Sequence, residues 1–221
     1  MHENYLTKKK GKNTNSQIQN QQLNKQQAMH REIEAYLQHI NFAKNCFVAY
    51  DTLYRRVESN EQLLCKAVGF FTVTQYALCK CLLIELAKLF IKHKSEGTIQ
   101  RLINKVQANN DAFTKGNAIE ICSVAQARLD NELNPIVQKL RSRRDQDLTH
   151  NDLDYFYGET NPALVNYISP NECNTLFDYA FCLCEDLLQC LPESNAVVLD
   201  CGADDFGDFI EWIVENQYSK G

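Results

Sequence analysis

QAMHREIEAYLQHINFAKNCFVAYDTLYRRV, running from Gln27 to Val57, places Ile33, Tyr36, Leu37, Ile40, Ala43, Phe47, Tyr50, Leu53 and Tyr54 at gaps mostly of three and four. That spacing lays one apolar stripe along a helix. The stretch contains neither glycine nor proline, so nothing interrupts the pattern. Ser59 and Asn60, followed by Glu61, read as a cap ahead of a second helix.

That second helix is predicted from Glu61 to His93, with Leu64, Ala67, Phe71, Leu83, Leu86 and Phe90 in register and Gly97 beyond its end. Its most apolar part, Gly69 to Ile91, contains Gln75, Lys80, Glu85 and Lys88. Each charge costs about 2.5–3.5 kcal/mol near a bilayer centre, so the expectation is a buried core helix and not a membrane span. A short helix is expected from Thr98 to Val106. A longer pattern runs from Ala118 to His150, with Pro135 kinking or dividing it. Another runs from Asn171 to Leu191, where Leu176, Tyr179, Ala180, Leu183, Leu187 and Cys190 share a face and Pro192 stops it. Long amphipathic helices joined by short connections pack as an up-and-down bundle. The expected fold is therefore all-α, a bundle of four to five main helices with a short C-terminal helix.

The 221 residues hold only 4 prolines and 8 glycines, too little punctuation for a strand-rich fold. Residues 1–26 are Lys, Asn, Gln and Ser with little to bury, and are expected to be a disordered tail, with helix as the alternative near its end. The helical domain is placed at 27–191. Residues 192–221 form an acidic extension, in which Asp204 to Tyr218 carries Phe206, Phe209, Ile210, Trp212 and Ile213 for a short docking helix.

The net charge is -5. An acidic chain is not drawn to nucleic acid by net charge, so any such contact must come from a local basic patch. No signal-peptide pattern opens the chain, and a cytoplasmic location is expected. There are ten cysteines, but no CxxC pair. Cys79 and Cys81, like Cys182 and Cys184, are two apart and point about 200° away from each other on a helix. Reduced thiols serving as small core residues are expected, with no metal and no cofactor. His30, His39 and His93 have no spaced partners for a ligand set. The acids from Asp204 to Glu215 lack the pattern of a calcium loop. No Gly-rich phosphate loop and no nucleophile elbow occur.

One segment asks for chemistry. The stripe of Leu129, Leu133, Ile136, Val137 and Leu140 is followed on the same line by Arg144, with Asp147 and Asn151 beyond. A buried face that turns charged needs partners, a cleft or a second chain, because an unpaired buried charge is costly. The bland alternative is a solvated helix end, where Lys139, Arg141, Arg143 and Arg144 offset the helix dipole.

Arg144-Asp145, four residues, then His150-Asn151-Asp152 resembles the signature of the HEPN superfamily: an arginine, a polar residue, and a histidine after about four to six intervening residues. The string from Leu140 to Asp152 is most similar to the AbiU-like abortive-infection branch. LIELAKLF from Leu83 to Phe90 and TIQRL from Thr98 to Leu102 support that branch. The resemblance covers Gln27 to Leu191. It implies a metal-independent endoribonuclease, a toxin or abortive-infection effector, working as a homodimer with a composite site and with RNA as substrate. An antitoxin or regulatory protein is a further implied partner, and no membrane is involved. In that reading Arg144, Asp145 and His150 are catalytic, and Arg143, Arg141 and Asn151 bind substrate. His150 moves a proton near neutral pH, and Arg144 meets charge on the phosphate. The alternative is a HEPN-fold dimer without catalysis, a binding or scaffold module. In some HEPN toxins a tyrosine two residues after the histidine is the target of a nucleotidyltransferase antitoxin; here that position is Asp152 and the nearest tyrosine is Tyr155.

On an ideal helix Arg144 and His150 stand about 120° and about 9 Å apart, whereas Arg143 shares a face with His150. A helix break near Asp147, a site shared across a two-fold, or Arg143 as the working arginine would each resolve this.

Overall fold

A computed structural model describes residues 3–59, 61–91, 97–145, 166–192 and 208. Among these residues the chain is helical and contains no strand. The helices are α1 (Glu3–Ser59), α2 (Glu61–Phe90), α3 (Ile99–Ala108), α4 (Ala118–Asn131), α5 (Asn134–Arg143) and α6 (Pro170–Gln189), with a 3-10 turn at Asn110–Ala112. The expected all-α bundle is therefore observed. Pro135 divides the long pattern rather than kinking it. It sits at the first turn of α5, where the missing N–H removes no helical bond.

Sequence explains where the helices start. Thr98 accepts from the Arg101 amide and caps α3. Asn117 accepts from the Glu120 amide and caps α4. Ser169 and Glu172 cap α6 reciprocally: each side chain bonds the other's backbone N–H.

α1 and α2 run antiparallel, since His39 meets Glu85 and Cys46 meets Cys81, so α2 recedes as α1 advances. The α1 stripe of Ile33, Leu37, Ile40 and Ala43 is buried as predicted. α6 completes the core: its Phe177 ring lies 5.9 Å from Phe47, and its Tyr179 ring lies 6.1 Å from Phe90. Two buried phenols act as pins. Tyr36 donates to the Thr98 carbonyl at 2.9 Å, tying α1 to the start of α3, and Tyr179 donates to the Ala125 carbonyl at 2.9 Å, tying α6 to α4. A buried hydroxyl without such a partner would cost about 1–3 kcal/mol.

α1 runs from Glu3, through the segment placed ahead of the helical domain. Lys and Gln are good helix formers that lose little rotamer freedom. Gln22 and Lys25 also reach Asp111, the lysine at 2.7 Å. α2 is also not buried throughout. Val68–Phe90 is long and apolar enough to cross a membrane, yet only 33% of that window is buried. Leu82, Leu83, Leu86 and Leu89 are core, while Val68, Phe70, Val73 and Tyr76 face outward. Lys80 sits over the Tyr76 ring at 5.1 Å, and the Phe70 ring meets Phe71 edge-on at 5.4 Å. The docking helix expected at Asp204 to Tyr218 lies, Asp208 apart, outside the described residues.

The described cysteines are free, and most are buried. Burial pushes the thiols of Cys173 and Cys184 up to about 12, which keeps them neutral core groups. Cys46 and Cys81 touch across α1 and α2, sulfur to sulfur at 3.5 Å.

Candidate functional site

α5 carries the candidate arginines. Leu133, Val137 and Leu140 are buried, and the next residue on that line is Arg143, which is only 7% exposed. The stripe therefore does not reach Arg144 as the 129–140 spacing suggested. Stepping three from Leu140 instead of four leads to Arg143, and the guanidinium that goes inward is the earlier one. Arg141 is half-buried.

Arg144 leaves on the other side. The helix widens there into a π-type turn at Arg144 and Asp145, a local geometry frequent at functional sites. The Arg144 guanidinium bonds the Asp145 carboxylate through two nitrogens: Nε donates to Oδ1 at 2.7 Å, and Nη2 lies 2.6 Å from the same oxygen. The Arg144 side chain is 23% exposed and that of Asp145 is 48% exposed. The aspartate thus orients the arginine at the protein surface. His150 and Asn151 lie outside the described residues.

Arg143 forms part of the wall of a pocket of about 150 Å³. Phe47 and Tyr50 of α1, Cys79 and Leu82 of α2, and Tyr167 and Pro170 ahead of α6 line the rest. The Tyr50 phenol is pushed up to about 12, first by burial, then by the neighbouring Cys79 and Tyr167. It stays a protonated donor throughout the physiological range. Tyr167 is exposed at the mouth. Sequence reasoning placed Tyr50 on the core stripe and passed over Tyr167, which has no periodic signal because it lies in a connection.

The position of α5 is fixed from its outer face. Lys139 donates to Glu172 of α6 at 2.6 Å. Burial raises the Glu172 carboxyl, but bonds from Lys139 and from the Ser169 backbone and hydroxyl outweigh it and hold the group below its ordinary value. Lys139 is thus engaged in the bundle and is separate from the basic end of the motif.

A larger cleft of about 660 Å³ lies farther along the α1–α2 pair, lined by Arg31, Tyr36, His39, Lys88, Leu89 and Lys105 among others. Three of these side chains stand against carboxylates. His39 Nε2 is 2.9 Å from the buried Glu85, Lys88 is 2.6 Å from the same carboxylate, and Lys105 pairs with Glu32. His39, which has no ligand partner in sequence, is therefore the partner of a core carboxylate. No group of three or more metal-ligating side chains occurs among the described residues.

The sequence model of one protein family, the AbiU2 family of HEPN proteins, matches residues 26–209. No curated protein and no solved structure matches the chain.

Proposed function

The chain belongs to the AbiU2 family of HEPN proteins, and from that premise we propose that it is a metal-independent endoribonuclease, an abortive-infection or toxin effector that acts as a homodimer. The observation that carries this reading is the Arg144–Asp145 pair. A guanidinium held by its own neighbour at a π-type turn, at the surface, keeps donors in place for an anion outside the bundle.

The chemistry follows from the residue types. His150 takes the proton of a ribose 2′-hydroxyl, and that oxygen attacks the adjacent phosphorus. The 2′-O–P bond forms as the P–O5′ bond breaks. The leaving oxygen takes up a proton, which leaves a 2′,3′-cyclic phosphate and a 5′-hydroxyl. Arg144 stabilises charge on the non-bridging oxygens as it develops. Asp145 holds the plane of Arg144, and Arg141 and Asn151 contact the flanking strand.

The second copy is supported by the outward face of α2. Phe70, Val73 and Tyr76 expose apolar surface that water disfavours and that a two-fold partner would cover. The same surface also favours the other reading, a catalytically silent module that binds a partner.

Cellular RNA incubated with the protein in EDTA separates the two. Cleavage by wild type with cyclic phosphate ends, lost in His150→Ala, is the expected result. Intact RNA with both proteins would favour the binding module.

A further inference from the structure

The described cysteines do not all stand alike. Cys173 and Cys184 are buried on α6, and Cys182 is exposed on the same helix. Cys46 of α1 and Cys81 of α2 differ from these because they meet: the Cys46 thiol donates to the Cys81 sulfur at 3.5 Å. Packing alone does not call for this. A thiol fills space as a small apolar group, and any other small apolar pair would fill the seam as well. What two sulfurs in contact add is chemistry.

The pair is asymmetric in a way that suits a stepwise reaction. Cys46 is 8% exposed, whereas Cys81 is half-buried. Burial first, and then the bond to Cys81, push the Cys46 thiol up to about 12. Cys46 therefore keeps its proton, and Cys81 is the sulfur that solution reaches. The surrounding seam holds both in place. His39 meets Glu85 on one side of the pair, and Phe47, next to Cys46, packs on Phe177. Two helices fixed in this way keep the sulfurs facing each other. To bond, the sulfurs close by about 1.5 Å, a distance that side-chain rotation on both helices can share.

We propose that Cys46 and Cys81 form a thiol-oxidation site, which a small hydroperoxide converts to a disulfide that ties α1 to α2 and stabilises the bundle. The Cys81 thiolate attacks one peroxide oxygen. The S–O bond forms as the O–O bond breaks, and the departing oxygen takes up a proton and leaves as water or an alcohol. The Cys46 sulfur then attacks the sulfenic sulfur of Cys81. The S–S bond forms as the S–O bond breaks, and the oxygen leaves as water with the Cys46 proton. Two thiols are oxidised and one peroxide is reduced. The link closes a loop that the unfolded chain otherwise leaves open, so the oxidised form is the more stable one. The site stands apart from the ribonuclease reading and needs no part of it.

The test uses the reduced full chain, hydrogen peroxide and one protein concentration throughout. Trypsin cuts after Lys44 and Lys80, which puts Cys46 in peptide 45–55 and Cys81 in peptide 81–88, clear of Cys79. After peroxide and alkylation, mass spectrometry is expected to find these two peptides joined, two hydrogens lighter than their sum, and released by dithiothreitol. The oxidised protein is expected to melt about 5–10 °C above the reduced one. Cys46→Ala and Cys81→Ala, each shown folded by circular dichroism, are expected to show neither effect. In Cys46→Ala the reaction is expected to stop at the sulfenic acid, so that dimedone labels Cys81, as it does not in wild type. If Cys46→Ala does not fold, Cys81→Ala carries the comparison, with peptide 45–55 expected to remain alkylated. Both thiols still open to alkylation at a peroxide dose that oxidises the exposed Cys182, or Cys81 joined to a different cysteine, overturns the site. A joined pair that melts no higher than the reduced protein overturns its stabilising role.

Discussion

Two openings along the α1–α2 pair treat charge differently. In one, a cleft of about 660 Å³ gathers His39, Lys88 and Lys105, but each stands against a carboxylate of the bundle. In the other, a pocket of about 150 Å³ encloses the single guanidinium of Arg143, one residue from the surface pair of Arg144 and Asp145. By volume and by count of cations the first looks like the binding site. The Arg144–Asp145 pair, by contrast, stands partly exposed at the end of α5. Lys105 and Lys88 are already answered by Glu32 and Glu85, and an anion would have to displace those carboxylates to use them.

The comparison is most exposed to a kinetic test. Arg144→Ala is expected to slow cleavage by about 10²–10³-fold, the usual loss when a donor to developing charge is removed. Lys105→Ala, in the larger cleft, is expected to leave the rate within about threefold, since partly exposed pairs contribute little. Equal losses in an RNA cleavage assay would mean that the cleft takes part in the reaction.

A stability test comes next in size. Glu85→Ala is expected to lower unfolding stability by about 1–3 kcal/mol, because it removes a buried acceptor shared by His39 and Lys88. Urea denaturation measures this. An unchanged midpoint would show that the pairs do not outweigh their own desolvation.

The smallest effect concerns acid. Glu172 has its folded value below the ordinary 4.5, so the stability it contributes is present above that pH and is lost as the pH falls through the folded value. Glu172→Gln should therefore be slightly less stable than wild type at neutral pH, with the difference closing below about pH 4.5. Parallel pH profiles for the two proteins would remove Glu172 from the account.

The bundle was legible in the sequence where burial dictates residue choice. The α1 stripe, the α6 face and the break at Pro135 follow from periodicity and backbone chemistry alone. Burial is not the only route to a helix: near the end of the tail Gln22 and Lys25 find Asp111 instead of a core. The motif was legible only as a resemblance. Which arginine turns inward was not, because Arg143 and Arg144 both fit a spacing of three or four from Leu140, and three-dimensional packing chose between them. The pocket stayed invisible because Tyr50, Arg143 and Tyr167 are brought together by tertiary packing across α1, α5 and a connection.

The outward face of α2 has a consequence for how this protein must be handled. In the homodimer proposed above, association and folding would form one linked equilibrium. The melting temperature is then no longer a constant of the sequence: it rises with protein concentration by mass action, and dilution alone weakens the fold. Two laboratories working at different concentrations would report different stabilities for the same chain, and both would be right.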